Sequence, residues 1–483
     1  MNQPISTSAF IHGKPVETPE RLLVHNPSDG SLLAEAARCT VEQVDAAVQS
    51  ARRAFDREWS TTTAAERGGI LRRVAVRLRD SVNEFGLLES QDTGKPLKQA
   101  RADTMTAARY FEFYGCIAET LDGSTIPSTR DVVAMTVREP FGVTAHISPW
   151  NYPIQIAARS IAPALAAGNT CVLKPAEVAP LSSILLAETA GEAGLPPGAF
   201  NVVPGVGTEA GAALAGHPGI DHLAFTGSQA VGAEVMVLAA RNIVPVSLEL
   251  GGKSPNIVFA DAHLEKALPY IVNSVIQNAG QTCSAGSRLL VHESIHDELV
   301  SMILDRFAAV TIGPGPSDYD LGPLVSAQQL ERVTGYVEEA RTTATLRSSL
   351  VLPRCDLPPG GHYFPPTLFD DVDPWARIAR EEVFGPVLAV STFGTTDEAI
   401  GMANNTDYGL IAAVWTRDVA RAHAVAGAIR AGQVFINSYG AGGGVELPFG
   451  GYKRSGFGRE KGRVGLEEYS QIKTITVRLD VDD

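Results

Sequence analysis

Apolar positions along the chain follow two regimes. In the N-terminal third they recur at helical spacing: Val41, Val44, Ala47, Ala51 and Phe55 share one face, and Thr40 with Gln43 has capping-box spacing. A second helix is predicted from Ala64 to about Leu78, and this third of the chain as a whole reads as helical. From Gly142 to Leu250 the pattern changes. Short β-rich runs (VTAHIS, TCVLK, FNVV, DHLAF, VPVSLEL) alternate with helical stretches (IQIAARSIAPALAAG, LSSILLAETAGEAG, a short helix, QAVGAEVMVLAARN). That alternation predicts a parallel, doubly wound α/β sheet. A further alternating region from about Ser254 to Asn437, with Leu264, Leu268, Ile271 and Val275 on one helix face, predicts a second α/β domain. The glycines from Gly440 to Gly444 and the segment PFGGYKRSGFGRE read as loops.

Length and composition narrow the class. A chain of 483 residues is expected to form two or three domains with large cores. No apolar run approaches the roughly 20 residues that span a bilayer, so no membrane partner is expected. The polar start, Met1 to Ile11, lacks a basic segment followed by an apolar one, which predicts a cytoplasmic protein. Cys39, Cys116, Cys171, Cys283 and Cys355 are scattered, with no C-x-x-C pair, so neither disulfides nor a structural zinc is predicted. A net charge of -14 repels phosphate backbones and argues against nucleic acid as a partner.

Several constellations could carry chemistry. Sheets of this type bind ligands beyond the carboxyl ends of their strands. A strict G-x-G-x-x-G is absent, because Gly205 and Gly207 are followed by Gly211, one residue too far. Thr226-Gly227-Ser228 opens a helix with Gly232 one turn in; it is either a phosphate-approaching turn or an ordinary β-to-α turn. His292 and His296 match H-E-x-x-H, but SRLLV reads as a strand and Ser294 as a cap, which leaves His292 outside the helix; no metal is predicted.

Cys283 lies among small and polar residues in GQTCSAG, which favours a reachable thiol, although a lone cysteine also serves as packing. Glu249 interrupts the apolar run VSLEL ahead of Gly251-Gly252. A carboxylate there needs a task or a partner, and Lys253 is the obvious ion-pair candidate. Asn151 in PWNYP can donate its amide to a developing oxyanion, or serve as a turn residue between prolines.

Taken together, SPWNYP, VLKPAE, FTGSQAVG, LELGGKSPNIVF, AGQTCSAGSR, EEVFGPV and PFGGYKRSGFGRE resemble the aldehyde dehydrogenase superfamily, in order and almost end to end. The resemblance implies a Rossmann-like NAD-binding domain over 1–120 and 141–250, a catalytic domain over 251–453, and a β bridging element over 121–140 and 466–483 that joins a homodimer or homotetramer. It implies Cys283 as nucleophile, Glu249 as general base, and Asn151 with the Cys283 backbone N–H as oxyanion hole. Lys174 and Glu177 resemble the pair that holds the adenosine ribose, Ser228 and its neighbours the pyrophosphate site, and Glu382 and Phe384 the grip on the nicotinamide ribose and ring. Ile147, Pro149, Trp150, Gly207, Gly211, Phe225, Gly227, Val231, Leu250 and Gly251 complete the implied cofactor contacts. An anion at Glu177 would repel a 2′-phosphate, so NAD is expected over NADP.

The implied substrate side comprises Arg159, Tyr152, Gln277 and Phe449. Arg159 suits a carboxylated or polar aldehyde because guanidinium binds carboxylate bidentately; an exposed arginine on a helix face is the plainer alternative. Gln277 replaces an arginine that succinate semialdehyde dehydrogenases resemble one another in carrying, and Ser160 replaces a lysine that pairs with the glutamate matching Glu460. The open loop at Gly440–Gly444 leaves aromatic aldehydes as candidates. A coenzyme A-acylating dehydrogenase and a non-catalytic scaffold are the rival readings, both opposed by Glu249. Gly280 reads as capping a helix end, which gives a thiolate no positive dipole, so the activation of Cys283 is not legible in the sequence.

Overall fold

A computed structural model describes residues 4–352, 357–440 and 444–479. Its centre is an eight-stranded sheet in the order Gly456–Phe457, Val246–Glu249, His222–Thr226, Val143–Ile147, Thr170–Lys174, Phe200–Val202, Ala9–Ile11, Lys14–Val16. The five strands from Val246–Glu249 to Phe200–Val202 are mutually parallel. The chain enters at Val143–Ile147, winds outward through Thr170–Lys174 and Phe200–Val202, then returns to the other side with His222–Thr226 and Val246–Glu249. The reversal falls between Val143–Ile147 and His222–Thr226, and their carboxyl ends diverge there into a crevice.

A second, seven-stranded sheet runs Thr345–Leu346, Thr367–Asp370, Val387–Phe393, Arg288–His292, Pro255–Val258, Ile411–Trp415, Gln433–Ile436. All of its pairings are parallel except the edge strand Thr345–Leu346. Both sheets are covered by helices whose apolar faces build separate cores; Leu268, Ile271 and Val275 pack against Leu289 and Val291 in the second. A third sheet pairs Ser470–Arg478 along all of Val132–Pro140, with Ser124–Ile126 on the other side. It leaves Ile126, Val133, Ile472, Ile475 and Val477 exposed.

The predicted helices near the N-terminus form as Val41–Ala54 and Ala64–Asp80. In the second, Thr63 receives the Glu66 N–H and returns its own N–H to the Glu66 carboxylate. The expectation that the whole N-terminal third is helical is corrected by five strands between Ile5 and Ala37. Arg21–His25 and Leu32–Ala37 pair antiparallel, and their Val24, Ala34 and Ala36 are buried against Leu181. Alanine-rich LLAEAA has no strand propensity of its own, so pairing and burial decide its state. His292 ends a strand and His296 starts the next helix with its ring nitrogens on Asp297 and Asp370, so the two histidines do not share a helical face. Cys355 and most of the Gly440–Gly444 loop lie outside the described residues.

Candidate active site

Three strand ends supply the floor of the crevice. Val143–Ile147 leads through Pro149 and Trp150 to Asn151, after which Pro153 opens the helix Pro153–Ala167 in the position where its missing N–H does no harm. The start of that helix is pinned from below. The Ile154 N–H and the Ser182 hydroxyl both donate to one Glu89 oxygen, and buried Lys95 donates to the other at 3.0 Å. His222–Thr226 ends at Gly227 and Ser228, whose hydroxyl caps the helix Gln229–Ala240 by accepting the Val231 N–H. Gly227 has to be glycine, since a β-carbon would strike the Phe225 ring beneath it. Val246–Glu249 delivers Glu249 as its last residue, 4% exposed.

Cys283 arrives from the other sheet. After the helix Leu264–Ile276 the backbone turns sharply through Asn278, Ala279 and Gly280, all left-handed with φ of 49°, 53° and 71°. Two non-glycine residues held there mark a segment fixed by its surroundings. Asn278 donates to the Asn151 carbonyl at 2.8 Å, and the Asn151 amide donates to the Gln281 carbonyl at 2.9 Å. The Gln281 side chain in turn donates to the Asn278 carbonyl and accepts the Val325 N–H. This lattice ties the cysteine loop to the asparagine. It uses one of the two Asn151 amide hydrogens and leaves the other available.

Cys283, Asn151 and Glu249 line one cleft, about 220 Å3 in volume and partly open to solvent. Pro149, Trp150, Gly227, Ser228, Leu250, Gly251, Glu382 and Phe384 line it too. Trp150 and Phe384 meet edge to face with centroids 5.3 Å apart, and Glu382 accepts the Gly252 N–H at 3.0 Å. Gln329 donates to the Phe384 carbonyl and Arg332 to the Glu382 carbonyl, so the helix Ala327–Ala340 holds this loop. Both residues line the cleft and were not singled out in the sequence, where they form no motif.

Burial shapes the charges. It pushes the Cys283 thiol up to about 12, with Arg159 opposing. Burial, reinforced by Glu460, lifts Glu249 well above the carboxylate range against the pull of Arg159, Arg459 and Lys461. Among the described residues neither Glu249 oxygen accepts a hydrogen bond and the Lys253 amine donates none, so no ion pair joins the two. Such surroundings favour the protonated form of a carboxyl and make its ionised form a stronger base.

A second cluster lies at the neighbouring strand end. Lys174, 3% exposed on its side chain, pairs with Glu177 at 2.8 Å. Although burial raises Glu177, Lys174 and the Gly207 N–H hold it below its usual range. β-carbons placed on Gly207 and Gly211 would stand 3.9 Å from Glu177 and Lys174 respectively, so both glycines border this pair. Its chemistry fits a sugar diol, with a carboxylate to accept and an ammonium to donate. Glu382 and the Trp150–Phe384 corner fit a second ribose and a flat ring, so the donor set suits a dinucleotide.

The remaining implied contacts divide. Ile147 ends its strand at this crevice, but Phe225 is a core residue 5% exposed, and Val231 contributes its N–H to Ser228 while its side chain is 45% exposed. Gln277 closes the helix Leu264–Ile276 and does not line the cleft. Tyr152 and Phe449 are buried. Arg159 is 6% exposed, which removes the exposed-arginine alternative, and its partner is one the sequence did not reveal: its guanidinium pairs with Glu460. It also stacks on Phe449 at 5.1 Å and reaches the Thr226 hydroxyl at 3.5 Å. Ser160 turns back to the Ala157 carbonyl. Arg159 thus takes the place beside Glu460 that Ser160 cannot fill.

Residues 15–475 match the aldehyde dehydrogenase family, and the chain belongs to it. It is 44% identical over 481 residues to betaine aldehyde dehydrogenase 2 of Rhizobium meliloti (strain 1021), covering 98% of each chain. Its fold superposes on a betaine aldehyde dehydrogenase of Staphylococcus aureus in complex with NAD+, with TM-score 0.96 and 38% identity over 99% of this chain and 96% of that one. An indole-3-acetaldehyde dehydrogenase of P. syringae, in complex with NAD+ and IAA, gives TM-score 0.96 and 40% identity, over 99% and 98%. The protein is an aldehyde dehydrogenase with the family's fold of a Rossmann-like cofactor domain and a catalytic domain.

Proposed function

We propose that Cys283 attacks the aldehyde carbonyl, that Asn151 and the Cys283 N–H stabilise the resulting oxyanion, and that Glu249 activates the water that hydrolyses the thioester. The observation that carries this reading is the Glu249 carboxyl, buried and without a hydrogen bond on the same cleft as Cys283 and Asn151. When bound, NAD supplies the hydride acceptor, held at Lys174, Glu177, Ser228, Glu382 and Phe384. Each preorganised donor to the oxyanion is worth roughly 3 kcal/mol of barrier. Burial raises the basicity of the Glu249 carboxylate, which suits it to take a proton from the hydrolytic water in the second half. Cys283→Ser should abolish NADH formation. Glu249→Gln should keep a single-turnover burst and lose steady turnover, and loss of the burst as well would defeat the assignment of Glu249 to hydrolysis.

We assign residues 1–120 and 141–250 to the cofactor domain, to which Gly456–Phe457 adds an edge strand, and 251–453 to catalysis. The exposed apolar side chains on the third sheet support a cytoplasmic homodimer or homotetramer joined through 121–140 and the last strand. We infer a preference for NAD over NADP, because the Glu177 carboxylate would repel a 2′-phosphate on a ribose held by Lys174 and Glu177.

For the substrate we propose a neutral polar or anionic aldehyde, semialdehydes included. Arg159 and Lys461 already occupy the Phe449 ring, each 5.1 Å from its centroid, whereas a trimethylammonium group needs free aromatic faces and no nearby cation. In a panel read by NADH absorbance, kcat/KM should favour a carboxylated or hydroxylated aldehyde over betaine aldehyde. The reverse order would overturn this substrate class.

A further inference from the structure

Tyr439 reaches the cysteine loop from the edge of the second sheet. The strand Gln433–Ile436 ends at Asn437, whose backbone is left-handed at φ 50°. Asparagine tolerates that region, and here a reciprocal pair fixes it: Asn437 accepts the Thr416 N–H at 3.1 Å and donates to the Thr416 carbonyl at 2.8 Å. Two residues on, Tyr439 is buried in the apolar cluster against which Cys283 packs. Its phenol donates to the Ser284 carbonyl at 2.6 Å.

That carbonyl belongs to the turn that carries the nucleophile. Cys283 and Ser284 are the two central residues of a β-turn, closed by the Ala285 N–H on the Thr282 carbonyl at 3.0 Å. The Ser284 C=O and the Ala285 N–H are two sides of one planar peptide, and the Thr282 C=O and the Cys283 N–H are two sides of another. The bonds therefore run in series. The phenol donates to the Ser284 carbonyl, the Ala285 N–H donates to the Thr282 carbonyl, and the series ends on the Cys283 N–H, the backbone donor proposed for the oxyanion. A carbonyl that accepts a hydrogen bond polarises its peptide, so the N–H on the other side becomes a stronger donor. The Thr282 and Ser284 hydroxyls, 3.2 Å apart, span the same turn. The Cys283 carbonyl is seated separately, on Gly252, where a β-carbon would stand 2.3 Å from it.

We propose that Tyr439 is a positioning residue for the oxyanion hole, orienting and polarising the Cys283 N–H through the Ser284 and Thr282 peptides. Burial pushes the phenol above its ordinary value, so it keeps its proton and remains a donor. Without the hydroxyl the Ser284 carbonyl loses this donor inside the protein, and the peptide it shares with Ala285 is freer to rotate away from Thr282. The Cys283 N–H then loses part of its fixed direction and part of its strength, at the point where charge builds on the aldehyde oxygen. No covalent bond forms or breaks at Tyr439. The inference rests on the proposed roles of Cys283 as nucleophile and of its N–H as oxyanion donor.

The test compares two reactions of Cys283 in full-length Tyr439→Phe. Single-turnover NADH formation passes through negative charge on the aldehyde oxygen. Alkylation by iodoacetamide, followed on the Cys283 peptide by mass spectrometry, displaces iodide and builds no such charge. NADH formation should slow by about threefold to tenfold, the worth of one hydrogen bond, while alkylation keeps the wild-type rate. Equal slowing of both would overturn the proposal, because the tyrosine would then be holding the sulfur or the fold. Unchanged rates in both would overturn it as well. If circular dichroism shows that Tyr439→Phe does not fold, 3-fluorotyrosine in place of Tyr439 carries the comparison: ring and hydroxyl stay, the donor is stronger, and NADH formation should quicken. An unchanged or slower rate there would defeat the proposal. Turnover that survives complete alkylation of Cys283 would instead sink its role as nucleophile, whatever Tyr439 does.

Discussion

Arg159 and Glu460 form an ion pair behind Glu249, both side chains nearly closed to solvent, one on the helix Pro153–Ala167 and the other on the bridge to Phe449. Removing one partner strands the other charge in a dry site, which typically costs about 3–5 kcal/mol. Arg159→Met and Glu460→Gln are each expected to destabilise by that order in urea unfolding. The double variant should cost less than the sum, with a coupling of roughly 1–3 kcal/mol. Additive losses would show that the two act separately.

Glu249 titrates from a raised starting point, so it is protonated below that point and a base above it. Thioester hydrolysis is therefore expected to gain rate as pH rises past the ordinary carboxylate range toward neutrality. In Glu249→Gln the hydrolytic step should fall by about 100-fold to 10,000-fold and lose this limb. Pre-steady-state NADH traces across pH separate that step from acylation, and an unchanged limb in the variant would assign it to another group.

Much of this site could be read from the chain alone, and the reasons for the exceptions are physical. The strand and helix alternation from Gly142 to Leu250 is dictated locally, by periodicity and burial, so the crevice and the residues at its strand ends followed from it. The stretch Leu32–Ala37 has a helix-like composition yet forms a strand, because its pairing with Arg21–His25 decides its state. Gln329 and Arg332 act through backbone carbonyls of a distant loop, a relation that leaves no motif. The pairing of Arg159 with Glu460 is not legible in the sequence, because the resemblance places the partner of Glu460 at position 160, where this chain has a serine. Lys461 is buried at a left-handed turn that sequence spacing does not announce.

The proposed preference for NAD over NADP turns on Glu177. Its carboxylate, favoured in the ionised form by Lys174, would repel a 2′-phosphate on a ribose bound there. Glu177→Gln should raise kcat/KM with NADP by about tenfold or more, while that with NAD falls less. Isothermal binding of the two cofactors offers a readout free of chemistry, and equal affinities in the wild-type protein would refute the preference.

His146 and His222 lie buried on either side of Tyr469, with ring centroids 5.7 and 5.2 Å from it. Burial brings them down to about 3 and about 4, below the ordinary value of 6.5. Because the folded values are depressed, the stability they lend is present above about pH 6.5 and is lost as pH falls toward the folded values. Between about pH 7.5 and pH 5 each ring should account for about 2 kcal/mol of lost stability. His222→Gln should flatten the chemical-denaturation profile over that interval by one ring's share, and an unaltered slope would argue that the rings are already solvated.

Gly251 stands where the Glu382 carboxylate crosses the cleft. A β-carbon there would press on the Glu382 carboxyl carbon at 2.8 Å, closer than any such contact tolerates. Glu382 would have to swing away and release the Gly252 N–H, which it now accepts at 3.0 Å. The lost grip falls on the cofactor, not on the sulfur, because Cys283 is anchored separately through Asn278, Gln281 and Asn151. Gly251→Ala is therefore expected to raise the KM for NAD by about tenfold, the equivalent of 1.4 kcal/mol, while Cys283 alkylation by iodoacetamide in the absence of cofactor proceeds at the wild-type rate. Altered alkylation with unaltered NAD affinity would place the Glu382 carboxylate in the service of the thiol instead.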